Sequence, residues 1–330
     1  MKRRSVFYRF PLFRCVSRYK KGLLTMKPLR FRPDGSFRIV QYTDVHLKDL
    51  GDTDQQSLEL MKRIVEIDSP ALIVFSGDIV HTHPTVAPVP IWHEFIRRTD
   101  ALGVPWTFTF GNHDYENSSY ETVDEILKAS DLNFYESGPK DIHGWGNYAL
   151  SISGSNNDKP AAVVFSLDSG IDGDGPLSGW GYVHEDQVEW FRRQAENLLG
   201  PNITGLVFVH NPVLEYQTMW ETTTCRGSRY ESIAFQGEDT GLFDAIRKVG
   251  VSAVFCGHDH INDYEGTWKG VDLCYGRASG ISGYGREGFL RGGRIIDLSE
   301  GKRGYTSFIR LEDGSKANLP IHEPENPAVS

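Results

Sequence analysis

The stretch VPWTFTFGNHD, residues 104–114, combines a strand pattern with side chains that can do chemistry. Its apolar, β-branched and aromatic residues predict a buried strand, and Gly111 predicts a tight turn after it. The turn presents the amide of Asn112, the imidazole of His113 and the carboxylate of Asp114 at the carboxyl end of the strand, where open α/β sheets bind ligands. A polar turn that serves only the backbone has the same pattern, so the interpretation depends on the other strands.

Four further apolar runs end in the same kinds of side chain. They cover residues 37–42, 71–75, 205–209 and 251–256, and helical patterns separate several of them. One such ending is common by chance, but five in one chain predict a site for divalent first-row metals, which bind mixed oxygen and nitrogen ligands. The candidate residues at the five strand ends are Asp44 and His46, Asp78, Asn112 and His113, His210, and His258 and His260.

The charge distribution favours cations over nucleic acid as partners. The chain has 330 residues and a net charge of -9, but residues 1–25 hold eight Lys or Arg and no acid, which leaves -17 on residues 26–330. A body this acidic argues against broad electrostatic binding to nucleic acid and is compatible with bound cations. The length fits one large α/β domain or a sandwich with long loops.

The basic segment at residues 1–25 shares no pattern with the rest of the chain. It has the charged start of a signal peptide without the uninterrupted apolar stretch. An organelle-targeting peptide, a basic arm that meets anionic lipid, and a translation start at Met26 all remain open. We expect a disordered or non-native segment over residues 1–30, one domain over 31–315 and a loose tail over 316–330.

The cysteines and the hydropathy pattern indicate a cytoplasmic location. No CxxC spacing occurs among the four cysteines, and Cys256 and Cys274 lie in strand patterns that predict buried, reduced thiols. No apolar run approaches the length of a membrane span.

The remaining patterns add strands and two long loops. Strands are predicted at residues 148–153 and 161–167, and only strands after residue 262. Ser118 and Glu121 predict a capping box for a helix that runs to about residue 129. The segments 170–182 and 211–239 are predicted to be irregular, and folded structure is expected to begin near Phe37.

The ordered motifs resemble those of the calcineurin-like metallophosphoesterases over roughly residues 37–312. Residues 209–216 and 262–263 are similar to the intracellular branch related to purple acid phosphatases. The resemblance implies a four-layer α/β/β/α sandwich of two mixed β-sheets flanked by helices. It also implies a phosphoric ester hydrolase with two divalent metal ions at the strand ends.

The resemblance also implies a role for each candidate residue. His113 would lie outside the metal shell and face the substrate, with Asp114 holding its ring, although a turn or capping role for Asp114 stays open. Asp259 would face away from the metals. The implied metal ligands are Asp44, His46 and His260 for one ion, Asn112, His210 and His258 for the other, and Asp78 as the bridge between them.

One position departs from the purple acid phosphatase pattern. Those enzymes have a tyrosine three residues after the bridging aspartate, and His81 stands there in this chain. Without a phenolate to stabilise ferric iron, an all-divalent centre of Mn, Fe(II) or Zn is expected. His81 and His83 are expected to be loop residues, and contact with phosphate is the less favoured hypothesis.

The implied reaction is the hydrolysis of a phosphate monoester or diester. The two ions would bind the phosphate oxygens and activate a bridging hydroxide, and His113 would protonate the leaving oxygen as general acid. The alternatives are a degenerate family member that acts as a scaffold for a protein partner and a cyclic-nucleotide phosphodiesterase. Four aromatic residues in the long loops could stack on a substrate base or simply pack the loops, namely Trp180, Tyr216, Trp220 and Tyr230.

Overall fold

The structure is a computed structural model that describes residues 28–81, 87–171, 173 and 175–324. Within these ranges six helices form: α1 (Asp52–Asp68), α2 (Pro88–Asp100), α3 (Tyr120–Leu127), α4 (Glu185–Leu198), α5 (Glu215–Thr222) and α6 (Leu242–Val249). The strands are β1 (Ser36–Tyr42), β2 (Leu72–Phe75), β3 (Trp106–Phe108), β4 (Tyr148–Ser153), β5 (Pro160–Leu167), β6 (Thr204–Val209), β7 (Cys225–Arg226), β8 (Ala253–Cys256), β9 (Glu265–Trp268), β10 (Val271–Tyr275), β11 (Gly292–Ser299), β12 (Tyr305–Leu311) and β13 (Ile321–His322).

The strands form two mixed sheets. The five-stranded sheet has the order β12-β11-β1-β2-β3, and the eight-stranded sheet has the order β13-β7-β9-β10-β8-β6-β5-β4. In the first sheet β1, β2 and β3 are parallel, and in the second β5, β6, β8 and β10 are parallel. The parallel strands that precede the candidate residues therefore lie side by side, which brings their carboxyl ends to one edge of each sheet.

The two sheets pack face to face. Strand residues alternate between two faces, and one face of each sheet points into a shared core. Ile39 and Val74 from the first sheet pack there with Val164, Phe208 and Phe255 from the second.

The outer face of each sheet is covered by helices. Ile73 packs with Met61 of α1 and Trp92 of α2, and Val207 packs with Phe191 of α4. The result is four layers, helices, sheet, sheet and helices, which confirms the predicted α/β/β/α sandwich.

Both ends of the domain are more ordered than expected. Leu29 and Phe31 are buried, and the Phe31 N–H donates to the Ser153 carbonyl at 3.0 Å, so the prediction that folded structure begins near Phe37 is wrong. In the expected loose tail, β13 pairs with β7 as a two-residue strand. Both segments are too short to show periodicity. The basic residues 1–27 and the last residues 325–330 lie outside the described part of the chain.

Two local predictions also need correction. The N-cap of α3 is Ser119, whose hydroxyl accepts from the Thr122 N–H at 3.3 Å, so the predicted capping box at Ser118 and Glu121 is wrong. The segment 211–239 is not irregular throughout, because it contains α5 and β7. With eight residues, α5 buries only Tyr216 and Met219, which gives a weak periodic signal.

The cysteines agree with the prediction of buried thiols. Cys225, Cys256 and Cys274 are buried and free, while Cys15 lies outside the described residues. None of the helices in the described part of the chain has the length and apolar character needed to cross a bilayer.

Candidate metal centre

The carboxyl ends of the parallel strands meet at the edge shared by the two sheets. The Nδ1 of His210, after β6, lies 2.8 Å from the carbonyl of Ser76, after β2. The backbone N–H of His258, after β8, donates to the Asp44 carboxylate, after β1, at 3.1 Å. These bonds cross from one sheet to the other and hold the candidate residues together.

The first group of candidate ligands consists of Asp44, His46 and His260. Each offers one ligand atom, and these atoms lie within 4.8 Å of one another. The Nε2 atoms of His46 and His260 are 2.9 Å apart, and Asp44 Oδ1 lies 3.4 Å from His260 Nε2. All three side chains are buried.

The second group consists of Asp78, His210 and His258, with the same spacing of at most 4.8 Å. Asp78 Oδ2 lies 3.1 Å from His210 Nε2 and 3.7 Å from His46 Nε2 of the first group. Asp78 is therefore placed between the two groups, as the resemblance implies for a bridging ligand.

Several side-chain atoms of the candidate ligands have no hydrogen-bond partner among the described residues. Among them are the side-chain oxygen of Asn112 and the Nε2 of His258, both buried. A buried polar atom without a partner costs about 1–3 kcal/mol, and such atoms are rare in folded proteins. A divalent cation would accept both lone pairs, so the donor set fits the predicted metals.

Backbone strain concentrates at the centre. Asp44, His46, Asp78 and His258 have positive φ angles of 54°, 51°, 57° and 75°. Left-handed backbone costs a residue with a side chain of order 1–3 kcal/mol and clusters at functional sites. Backbone hydrogen bonds hold the turns in place: the Asp44 N–H donates to Gly77 and the His46 N–H donates to Asp78, both at 3.0 Å.

Glycine is required where two of these turns touch. A Cβ on Gly111 would lie 2.3 Å from Asp78 Oδ1, and a Cβ on Gly77 would lie 2.4 Å from His210 Nδ1. The glycines of the motifs therefore allow the loops of β2, β3 and β6 to approach one another closely.

Burial sets the protonation state of two imidazoles. It lowers the pKa of His46 to about 3 and that of His258 to about 3. Both rings are therefore neutral near pH 7, which is the form that binds a metal.

The opposite charges of Asp78 and His210 lower the pKa of the Asp78 carboxyl and raise the pKa of the His210 ring. Burial opposes ionisation of Asp78, but the charge of His210 outweighs it and lowers the pKa of the carboxyl well below its usual range. Burial likewise opposes protonation of His210, and Asp78 outweighs it and raises the pKa of the ring. The carboxylate thus attracts positive charge at the position where a cation would bind.

Two aromatic residues from the loops contact the histidines of the centre. The ring of Tyr284 stacks on His260 at 3.9 Å, and its carbonyl accepts from His260 Nδ1 at 3.0 Å. The Tyr284 hydroxyl donates to Glu231 at 2.8 Å. The edge of Trp180 meets His258 at 4.4 Å. Tyr284 and Glu231 were not predicted as site residues, because both lie in irregular segments without a periodic pattern.

His113 lies beside the first group, and its ring has a different partner from the one expected. The His113 ring centroid is 5.3 Å from that of His46, and its Nδ1 lies 2.8 Å from a Glu116 oxygen. Burial lowers the pKa of His113, but Asp78 and Glu116 outweigh it, and the pKa is raised.

Asp114 does not hold that ring, so this implied role is wrong. Its carboxylate accepts from the backbone N–H groups of Asp78, Ile79 and Gly111 at 2.7–2.9 Å, which leaves the turn role that the sequence also allowed. Asp114 positions the turn that carries Asp78.

The other residues singled out in the sequence have different surroundings in the structure. His81 lies near the centre, with its ring 5.4 Å from that of His46, whereas His83 lies outside the described residues. Asp259 accepts from the Tyr275 hydroxyl at 2.5 Å and faces away, as expected. Tyr216 is buried, Trp220 packs on Tyr264 and His322, and Tyr230 is half-exposed.

The fold and the paired ligand groups define a metallophosphoesterase-type domain. The family model of the calcineurin-like phosphoesterases matches residues 37–262, and the chain belongs to this family, which confirms the resemblance. The family depends on two metal ions, and the two ligand groups described above are the candidate sites.

Named relatives and solved structures agree with this placement. The chain is 30% identical to "Probable inactive purple acid phosphatase 28" of Arabidopsis thaliana, over 83% of this chain and 78% of the relative. It is 27% identical to phosphatase DCR2 of Saccharomyces cerevisiae, over 74% of this chain and 48% of the yeast protein. A dimetal phosphatase from Danio rerio has the same fold, with a TM-score of 0.55 and 16% identity over 82% of this chain and 98% of that one.

Proposed function

We propose that this protein is a dinuclear metal-dependent phosphoesterase. Asp44, His46 and His260 hold one divalent ion, Asp78 bridges to a second, and the ligands of the second are Asn112, His210 and His258. The position of Asp78, with one oxygen 3.1 Å from His210 Nε2 and 3.7 Å from His46 Nε2, is the observation that carries this assignment. When bound, two such cations bind phosphate oxygens, activate water and stabilise the charge of the transition state.

The residues of the chain prepare the site for this chemistry. The charges of Asp44 and Asp78 attract cations, and the neutral rings of His46 and His258 offer nitrogen lone pairs. The turns that carry them are held in left-handed backbone, so the ligands need little rearrangement on binding.

His113 is the proposed general acid. The Glu116 carboxylate lies 2.8 Å from Nδ1, which fixes one proton there, and the imidazolium then carries its transferable proton on Nε2. Transfer of that proton to the leaving oxygen contributes typically about 10²–10⁴-fold to the rate.

A second function is favoured by the names of the relatives. The Arabidopsis relatives are called "probable inactive" purple acid phosphatases, which suggests binding without hydrolysis. In this chain every implied metal ligand is present, and six of the seven lie in the two groups described above, so we favour the enzyme.

The test is a panel of phosphomonoesters and phosphodiesters assayed with Mn, Fe(II) or Zn. We expect wild type to hydrolyse at least one class, with Asp78→Asn inactive on the same panel. Phe308→Leu, at a half-buried position on β12 outside the centre, serves as the control and should keep wild-type turnover. Two bound ions with no hydrolysis of any ester would favour the scaffold.

A further inference from the structure

A cavity of about 530 Å³ has two lining residues, Ser169 and Gly181, that hydrogen-bond to Asn211. It lies between the loop that follows β3 and the loop that follows β5. The Ser169 hydroxyl, on its lining, accepts from the Asn211 N–H at 3.2 Å, and the Gly181 carbonyl accepts from the Asn211 side chain at 2.9 Å. Asn211 directly follows His210, so two lining residues contact the sequence neighbour of a candidate metal ligand.

Stacked aromatic rings line this cavity. Tyr115, from the loop after β3, and Tyr120, the first residue of α3, stack with their centroids 3.7 Å apart. A second set consists of Tyr182, His184 and His143. The ring centroids of Tyr182 and His184 are 4.4 Å apart, and the ring of His184 stacks on that of His143 at 4.0 Å. Planar ligands pack well against rings already held in such an arrangement.

The charges of the cavity disfavour an anionic occupant. Its described lining residues include the buried carboxyl of Asp168 and no lysine or arginine. Asp168 accepts from the Tyr120 hydroxyl at 2.6 Å and from the Trp145 N–H at 2.8 Å. An additional phosphate or carboxylate on the substrate would find no lysine or arginine among these described lining residues.

We propose that this cavity binds the alcohol part of the substrate and selects an uncharged alcohol that carries a planar aromatic ring. The inference rests on the proposed function, since it needs a phosphate ester at the metal centre. Tyr115 is two residues from His113, the proposed general acid. The leaving oxygen lies next to that acid, so the organic group attached to the oxygen extends into the cavity.

The reaction this implies is an ordinary hydrolysis. The bond between phosphorus and the alcohol oxygen breaks, and a new bond forms between phosphorus and the oxygen of water. The alcohol oxygen takes a proton from His113, which regains one from the attacking water. The products are inorganic phosphate and a neutral aromatic alcohol.

The experiment compares 2-phenylethyl phosphate with propyl phosphate. Both release a primary alkyl alcohol of similar acidity, so the chemical step is matched. The ratio of their kcat/KM values therefore measures how strongly the cavity prefers the phenyl group. We expect wild type to favour the phenyl ester by about tenfold or more. Tyr182→Leu and Tyr115→Leu should each reduce that ratio severalfold, while Phe308→Leu, at a half-buried position on β12 outside the cavity, should leave it unchanged.

A binding measurement separates this inference from the proposed function. Calorimetric titration of the metal-loaded protein with 2-phenylethylphosphonate and propylphosphonate needs neither turnover nor a variant. Tighter binding of the phenyl compound without hydrolysis of either ester would support the cavity and contradict the hydrolase. Hydrolysis of both esters at equal kcat/KM, with equal phosphonate affinities, would overturn the cavity assignment and leave the hydrolase intact.

Discussion

His210 has its two ring nitrogens in different surroundings. Nδ1 lies 2.8 Å from the Ser76 carbonyl, which holds a proton on that nitrogen, and Nε2 faces Asp78 at 3.1 Å. His260 is arranged in the same way, with Nδ1 on the Tyr284 carbonyl. A backbone carbonyl on one nitrogen fixes the tautomer and leaves the other as the ligand.

His113 should matter most where the leaving group is poor. An alkoxide needs a proton in order to leave, and a nitrophenolate does not, so His113→Ala should reduce kcat/KM for propyl phosphate far more than for 4-nitrophenyl phosphate. Metal content should stay close to that of wild type. Equal losses on both esters, with the chemical step limiting, would show that His113 positions the phosphate instead.

Tyr284 should affect one of the two ions selectively. It stacks on His260 and accepts the proton of His260 Nδ1 through its backbone carbonyl. Tyr284→Leu removes the ring and should weaken one metal site by about tenfold, because residues that orient a ligand typically contribute 10–100-fold to affinity. Calorimetric titration with Mn measures both sites. Tyr284→Phe, which keeps the stacking, is the matched variant, and unchanged affinity at both sites in Tyr284→Leu would contradict this role.

Among the secondary-structure elements, the buried strands were the most predictable. Uninterrupted apolar runs identify β2, β6 and β8 because such runs are buried on both faces in parallel sheets. The helix α5 was missed because eight residues with two buried side chains give little periodicity. The N-cap of α3 was displaced because Ser118 and Ser119 are equally good caps, and only tertiary contacts select between them.

Glu215, at the start of α5, should make stability depend on pH. Burial raises its pKa to about 7 from the usual 4.5, so the folded protein holds more protons than the unfolded chain between those values. The free energy of unfolding therefore falls as pH rises through that window. Glu215→Gln cannot ionise and should be more stable than wild type above pH 7 by about 1–2 kcal/mol, since solvent screens part of the effect of about 1.4 kcal/mol per pKa unit.

Denaturant unfolding of both proteins at pH 5 and pH 8 checks this expectation. The difference should be larger at pH 8 than at pH 5. Glu221→Gln, on the exposed face of the same helix, is the control and should follow wild type. A constant difference at the two pH values would mean that Glu215 ionises normally.

At the scale of the whole molecule, the resemblance to the family implied the ligand groups, and the loops around them could not be predicted. Parallel strands bring Asp44, Asp78 and His210 to one edge, and this follows from topology. Glu116 and Tyr284 come from irregular segments without periodicity, so their contacts depend on the complete fold. The apolar Leu29 and Phe31 were missed for the same reason.

The boundary of the domain can be tested by truncation. A chain that starts at Met26 keeps Leu29 and Phe31 and should match the full-length protein in Tm and in kcat. A chain that starts at Arg32 loses both buried side chains, each of which stabilises the fold by roughly 1.5–3 kcal/mol, and should melt several degrees lower. Equal Tm values for the two truncations would show that these residues contribute nothing to the domain.

Metal stoichiometry tests the dinuclear assignment most directly. Wild type, Asp78→Ala and His113→Ala would be loaded with Mn, dialysed and analysed by plasma emission spectrometry. We expect close to two ions per chain in wild type and in His113→Ala. Asp78→Ala should lose both, because it removes the shared ligand and its charge, while circular dichroism verifies that it remains folded. Two ions retained by a folded Asp78→Ala variant would contradict the assignment of Asp78 as the bridge between two metal sites.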